Sequence, residues 1–341
     1  MKVLFIGGTG NISTACTALA AERGIELTLL RRGQRLASIP DSVRTIVADI
    51  ADEAAVAEAL GDRKFDAVVD WIAFTPAQVE RDIRLFRDRT DQYIFISSAS
   101  AYQKPVSHYL ITESTPLANP YWQYSRDKIA CEERLMKEYR ETGFPFTVVR
   151  PSHTYGDTQF ALAVNNWEIP YTAVDRMRRG KKSIVPGDGS SLWVLTHNSD
   201  FAQGLVGLLG RSQAIGHAFH ITSDEVLTWD QIYTITARAA GVEPQLVHIA
   251  ADFLGACIPD FVGSLTGDKS SSVVFDNSKI KRFVPGYCAR VPYAEGVKRT
   301  IAWFDAARER QVVDEQANAA WDKIIAAYES GLEDAVCRLR S

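Results

Sequence analysis

Two residues into the chain an apolar run begins, and it breaks on glycine. Lys2-Val-Leu-Phe-Ile6 leads straight into Gly7-Gly8-Thr9-Gly10-Asn11-Ile12-Ser13, and helix formers follow. Strand, glycine turn and helix in that order constrain the fold more than anything else in the sequence. Gly7 lets the chain turn sharply, and Gly10 lets backbone N–H groups approach a pyrophosphate at the positive end of the helix. The bland alternative is a tight turn in a non-binding α/β protein, which the strand before and the helix after argue against. Gly7, Thr9, Gly10, Asn11 and Ile12 are therefore the expected cofactor-phosphate cradle. Ser13 stands where the pattern usually has a third glycine; it is the next smallest choice, so helix-to-strand packing survives.

Short apolar runs then alternate with longer amphipathic stretches: Glu26 to Leu30, Thr45 to Val47, Ala54 to Leu60, Ala67 to Val69, a helix around Gln78 to Phe86, and Tyr93 to Ser97. A helix around Ser125 to Glu141 and the strand Phe146 to Val149 complete the series. This βαβαβ alternation implies an α/β fold with a doubly wound parallel sheet. Beyond Pro151 the pattern loosens into loops with strand-like pieces at Ser183 to Val185 and His217 to Ile221. Helical patterns return at Ser199 to Leu209, Trp229 to Ala240 and Glu295 to Arg308. The expected organisation is a dinucleotide-binding domain over 1–156, with elements around 190–222 returning to it. A smaller substrate lobe takes 157–189 and 223–311, and a helical tail takes 312–341.

The second strand ends in Arg31-Arg32-Gly33-Gln34-Arg35, where an NAD-specific protein places an acid on the ribose 2'-hydroxyl. Guanidinium groups at that spot pair with a 2'-phosphate instead, so Arg31 and Arg32 favour NADP over NAD. Asp49 closes the third strand, placed to accept from the adenine amino group, with Ile50 against the ring.

Tyr124 and Lys128 share a face at the start of a helix, at i and i+4. An ammonium near a phenol favours the phenolate, and tyrosine's ordinary pKa of about 10 must fall if Tyr124 is to exchange a proton at neutral pH. The lysine can also hold the nicotinamide ribose. Upstream, Tyr93 to Tyr102 is a buried strand that emits Ser97, Ser98 and Ser100 at its carboxyl end, where open α/β sheets bind ligands. Downstream, Arg150-Pro151-Ser152-His153 leaves another strand at the same edge, bringing Pro151 and His153 toward the nicotinamide. Tyr121, Trp122, Trp71, Trp167 and Trp193 are candidates for an apolar pocket or a stacking platform, although tryptophans are more often core.

These residues together resemble the extended and atypical short-chain dehydrogenase/reductase superfamily, in its nucleoside-diphosphate-sugar epimerase/dehydratase-like branch. Gly7 to Ser13 is similar to its GxxGxxG, Ser97 to Tyr102 to its SSxxxY, Tyr124 to Lys128 to its YxxxK, and Arg150 to Gly156 to its RPxxxYG. Thr196 to Ala202 is similar to its HxxD signature. The resemblance implies a Rossmann-like fold, NADP or NAD as cofactor, and Ser98, Tyr124 and Lys128 as the catalytic set. It places Ala73, in Asp70-Trp71-Ile72-Ala73-Phe74, beside the cofactor where many relatives have a histidine-and-alanine motif. It leaves Asp82 as the nearest stand-in for the family's asparagine.

Three functions follow as expectations. The first is an epimerase or oxidoreductase of a sugar nucleotide, with Trp71, Trp122, Ser100 and Arg179 toward the substrate; Arg179 lies in a basic stretch, Arg176 to Lys182, suited to a diphosphate. The second is an NADPH-dependent reductase of a small carbonyl compound. The third is a non-catalytic NADP-binding or RNA-binding protein on the same scaffold. A net charge of −4 argues against nucleic acid. Five scattered cysteines show no metal-ligand spacing and suit a reducing compartment, so no metal is expected. With no membrane-length apolar run and no signal-peptide pattern, the expectation is a cytoplasmic protein with no membrane partner. A homodimer through a helix pair is what the family resemblance implies.

Overall fold

The structure is a computed structural model and describes residues 1–33 and 39–341. The first half builds in strict alternation: β1 (Lys2–Ile6), α1 (Asn11–Glu22), β2 (Glu26–Arg31), β3 (Arg44–Val47), α2 (Glu53–Leu60), β4 (Ala67–Asp70), α3 (Pro76–Phe86) and β5 (Tyr93–Ile96). The short strand β6 (Leu110–Ile111), α4 (Gln123–Thr142), β7 (Phe146–Pro151) and β8 (His153–Tyr155) follow. Then come α5 (Tyr171–Arg178), β9 (Ser183–Pro186), β10 (Leu192–Trp193), β11 (Leu195–His197), α6 (Asn198–Leu208) and β12 (Ala218–Ile221). The rest is β13 (Leu227–Thr228), α7 (Trp229–Ala239), β14 (Leu246–Ile249), α8 (Ala251–Cys257), a π-helical segment Val262–Lys269, β15 (Val274–Phe275), α9 (Ser278–Phe283), α10 (Tyr293–Asp305) and α11 (Glu315–Arg340).

Seven strands form one sheet in the order β12-β7-β5-β4-β1-β2-β3, and every pair in it is parallel. The order reverses at β1, which sets the carboxyl ends of β1 and β4 around a crevice, the usual ligand position in an open α/β sheet. The sheet is covered on both faces, so its central strands read as unbroken apolar runs; β4 and β5 are buried at every residue. One face packs Val3, Phe5, Leu27 and Val69 against α1 and α6. The other packs Leu4, Ile6, Val68 and Phe95 against α2, α3 and α4.

A third core, around Trp193, Trp229, Tyr233, Tyr293 and Phe304, is built mostly from elements after β8, joined by Tyr102, Ile111 and Tyr155. Its strands meet only in pairs, β8 with β11, β9 with β14, β10 with β13 and β6 with β15. Such two-residue to four-residue strands carry too few alternations to be read from periodicity, and the π-helical segment was not foreseen at all.

Candidate active site

The glycine loop fits a dinucleotide. Gly7 and Gly8 have φ of +99° and +97°, and a Cβ on Gly8 would lie 2.8 Å from Leu29 Cδ2. Both positions need the bare backbone. Gly10 caps α1 in an ordinary extended conformation, and the Thr14 amide bonds Gly10 O, which leaves the Asn11 and Ile12 amides at the helix start without intrahelical acceptors. Such amides could hold a phosphate, reinforced by the helix dipole. Ser13, the departure from the glycine pattern, is buried at 3% and its Oγ accepts from the Gly10 amide at 2.8 Å. The serine thus fastens the turn as well as filling the glycine's place.

Asn11 ties the loop to the rest of the molecule. Its Nδ2 donates to Thr154 O at 3.1 Å, while Asn198 Nδ2 donates to Asn11 O at 2.8 Å. A Cβ on Gly156 would sit 2.2 Å from that Asn198 amide, so the glycine that ends the Arg150–Gly156 motif is required by close approach. Arg31 ends β2 opposite Val47, one residue beyond the pairing of Leu30 with Ile6. Arg32 follows it, and the Gln34 and Arg35 of the same basic turn lie outside the described residues. Asp49 is exposed and its Oδ1 accepts from the Ala51 amide at 3.0 Å, while Ile50 is buried.

Tyr124 and Lys128 lie on the first turns of α4, facing the end of β5. Ser98 caps a short 3-10 turn, where its Oγ accepts from the Ser100 amide at 3.2 Å. Ser98 and Ser100 hydroxyls are 2.9 Å apart, and Ser125 Oγ donates to Ser100 Oγ at 2.7 Å. The Ser98 side chain is also near enough to the Tyr124 phenol to draw its pKa down. Burial and the Asp268 carboxylate push the other way, and burial wins, so the phenol is raised above its ordinary value. The sequence expectation of a lowered phenol is corrected here: Lys128 Nζ is 5.8 Å from the Tyr124 ring centroid and spends its charge elsewhere. That ammonium is buried, donates to Ala73 O and Ile96 O at 2.7 Å each, and lies over the Phe74 and Phe95 rings. Burial among carbonyls and rings pushes it down to about 8.

Other expected residues are placed differently. Ser97 Oγ donates to Glu132, whose carboxylate grips Arg150 through both oxygens, so this serine is anchored in the core. Asp82 accepts from Tyr93 Oη and Arg81 and is fully buried beside Asp70; burial and that second carboxylate push it up. Among the described residues no contact ties it to Tyr124 or Ser98, which corrects its candidacy for a proton relay. Trp71 packs edge-on against Phe5 and under Gly7, as core rather than as a substrate platform. Ala73 is buried, and its carbonyl serves Lys128. Pro151 ends β7 beside Ile221.

Arg179 is exposed and paired with Asp175 and Glu315, at 2.8 and 2.7 Å. Its neighbours are committed likewise, Arg176 and Lys181 to Asp322, Arg178 to Asp305 and Lys182 to Glu329. The basic stretch therefore holds α10 and α11 and is not kept for a diphosphate. Trp122 does flank the site, its ring 5.0 Å from that of Tyr124. His153 sits among Trp167, Trp193 and Trp229. Three polar residues at the site escaped sequence reasoning: Lys104, Asp268 and Lys269. The legible signal was Gly263 and Gly267, four apart, which bring their segment flush against Trp122.

Comparison with known proteins agrees with this geometry. The family described as NAD dependent epimerase/dehydratase matches residues 3–222. The 2'-dehydrokanamycin reductase of Streptomyces kanamyceticus is 26% identical over 294 residues, which cover 85% of this chain and 81% of that protein. The chloroplast stem-loop binding protein of 41 kDa b from Arabidopsis thaliana is 26% identical over 261 residues, covering 72% and 65%. In fold, the chain is similar to a dTDP-glucose 4,6-dehydratase from Bacillus anthracis solved with NAD, at a TM-score of 0.71 and 16% identity, covering 91% and 98%. With the glycine loop, the crevice and the tyrosine–lysine helix in one frame, and well over half of the sequence matched, the chain belongs to the NAD dependent epimerase/dehydratase family and is an NAD(P)-dependent enzyme.

Proposed function

We propose that this enzyme oxidises or reduces a secondary hydroxyl or ketone on the sugar of a sugar nucleotide, as an epimerase or oxidoreductase. The observation that carries the reading is the placement of Ser98, Tyr124 and Lys128 together at the carboxyl edge of the sheet, with Lys128 Nζ 5.8 Å from the Tyr124 ring centroid and the Ser98 side chain near enough to draw the phenol's pKa down. When bound, the nicotinamide supplies or accepts the hydride. The glycine loop with the Asn11 and Ile12 amides holds the phosphates, and Arg31 with Arg32 selects NADP over NAD. Tyr124 Oη exchanges the proton of the reacting oxygen, Ser98 Oγ holds that oxygen, and Lys128 fixes the cofactor side of the pocket.

One observation favours a simpler reductase of a carbonyl compound as the second reading. A phenol raised by burial is a proton donor at neutral pH, the form that protonates a ketone oxygen as hydride arrives. Tyr124→Phe tests the shared mechanism. Turnover with NADPH should fall by roughly 10²–10⁴-fold while NADP affinity in a binding titration stays within a factor of about two. Wild-type turnover in that variant would remove Tyr124 from the chemistry. Net NADPH consumption in the wild type marks the reductase, and isomerisation without it marks the epimerase.

A further inference from the structure

Two lysines that meet at Asp268, whose carboxylate acts on Tyr124, are buried and loosely held. Lys104 is 4% exposed, and its Nζ reaches Asp268 O at 3.2 Å. Lys269 is 5% exposed, with contacts to Ser264 O at 3.4 Å and Asp268 Oδ2 at 3.3 Å. Charge-assisted N–H···O bonds settle at about 2.7–2.9 Å, so none of these three is a tight one. Lys128, by comparison, makes two bonds at 2.7 Å. The charged groups acting on Lys104 are Asp268 and Lys269, which leaves two ammonium groups to one carboxylate.

The third group is His153. Its Nδ1 accepts the Trp193 indole N–H at 3.1 Å, so the proton of the neutral ring is on Nε2, a buried atom with no partner among the described residues. Burial and the nearby Lys269 hold this imidazole well below its ordinary range. Lys269 Nζ lies 5.9 and 5.8 Å from the ring centroids of Trp122 and Trp167, and Trp167 is 45% exposed. A Cβ on Gly263 would come within 2.4 Å of Trp122 Cδ1, and Trp229 Nε1 donates to Lys269 O at 2.9 Å. Both contacts fix the π-helical segment so that Asp268 acts on Tyr124 and Lys269 faces the Trp122 and Trp167 rings. A π-helical turn is frequently found at functional sites.

We propose that Lys104 and Lys269, with the Nε2–H of His153 as a third donor, form a subsite for an oxyanion of the substrate, a phosphate or a carboxylate. Buried cations in excess of their carboxylates destabilise the free protein and are repaid when an anion enters. The subsite supplies what the Arg176–Lys182 stretch does not. It rests on the functional reading above only for what the anion is attached to.

The test is titration of the NADP-loaded protein, read by tryptophan emission, with UDP-glucose (diphosphate), methyl glucuronoside (carboxylate) and methyl glucoside (neutral). At least one of the two anionic ligands should bind at least about tenfold more tightly than the neutral glycoside. Lys104→Met and Lys269→Met should each abolish that difference, keep NADP affinity, and raise the melting temperature of the free protein by a few degrees. The better anionic ligand identifies the source. Equal binding of all three ligands, binding of none by a protein that still takes NADP, or unchanged discrimination in both variants would overturn the proposal. Failure to bind NADP would instead strike at the functional reading.

Discussion

The chain keeps its cations in two ways. Between Arg176 and Lys182, five of seven residues are basic, and every one meets a carboxylate at 2.6–2.8 Å. Lys104, Lys128 and Lys269 are scattered through the sequence, and all three are buried at 5% exposure or less. The dense group looks like a ligand site in the sequence and is a structural clasp. Of the sparse group, Lys128 is legible from its spacing to the tyrosine, whereas Lys104 and Lys269 are invisible in the sequence and come together only at Asp268. Density along the chain says where charge is, whereas function depends on where charge is left without an equal partner.

The largest effect that could break this contrast concerns Lys128. An ammonium moved from its ordinary 10.5 to about 8 costs roughly 3 kcal/mol in the folded protein at neutral pH. The sign follows from proton counts: below pH 8 both states are charged and the cost is complete. Between pH 8 and about 10.5 the unfolded chain holds more protons than the native one, so stability rises with pH. Lys128→Met should therefore be about 1–3 kcal/mol more stable than wild type at pH 7 in urea, with the gain shrinking by pH 10. A loss of stability at pH 7 would mean that the two carbonyl bonds outweigh desolvation and that Lys128 belongs with the clasp.

A smaller effect sharpens the contrast at the sheet edge. The double variant Arg31→Ala with Arg32→Ala should shift preference from NADP toward NAD by about 10–50-fold in paired titrations, since charge-assisted bonds to a phosphate are lost. An unchanged ratio would assign the 2'-phosphate to another group. The smallest effect belongs to the clasp itself. Arg179 is exposed, so Arg179→Ala should leave the urea midpoint and the substrate affinity essentially unchanged. A marked rise in KM would return Arg179 to the substrate.

The same contrast explains what could be read from the sequence. Local rules were enough for β1 to β5, because strands buried on both faces are continuous apolar runs, and for the turn at Gly7, because few sequences make a strand end in three glycines of four. The helical spacing of Tyr124 and Lys128 was equally local. The raised phenol was not legible, since it depends on burial and on Asp268, far along the chain. The partners of the basic stretch were missed for a related reason: Glu315, Asp322 and Glu329 recur every seven residues on one face of α11, a signal that matters only once α5 is known to lie beside it.

The position of β12 has a consequence for synthesis. This edge strand pairs with β7, yet the whole of 152–217 is made between them. At about 5–20 residues per second, a nascent chain carries the free edge of β7 for several seconds before its partner emerges. An unpaired strand edge is a template for misassembly. Fast translation through that interval, or a chaperone waiting for it, should favour soluble yield, and a pause engineered within it should lower it.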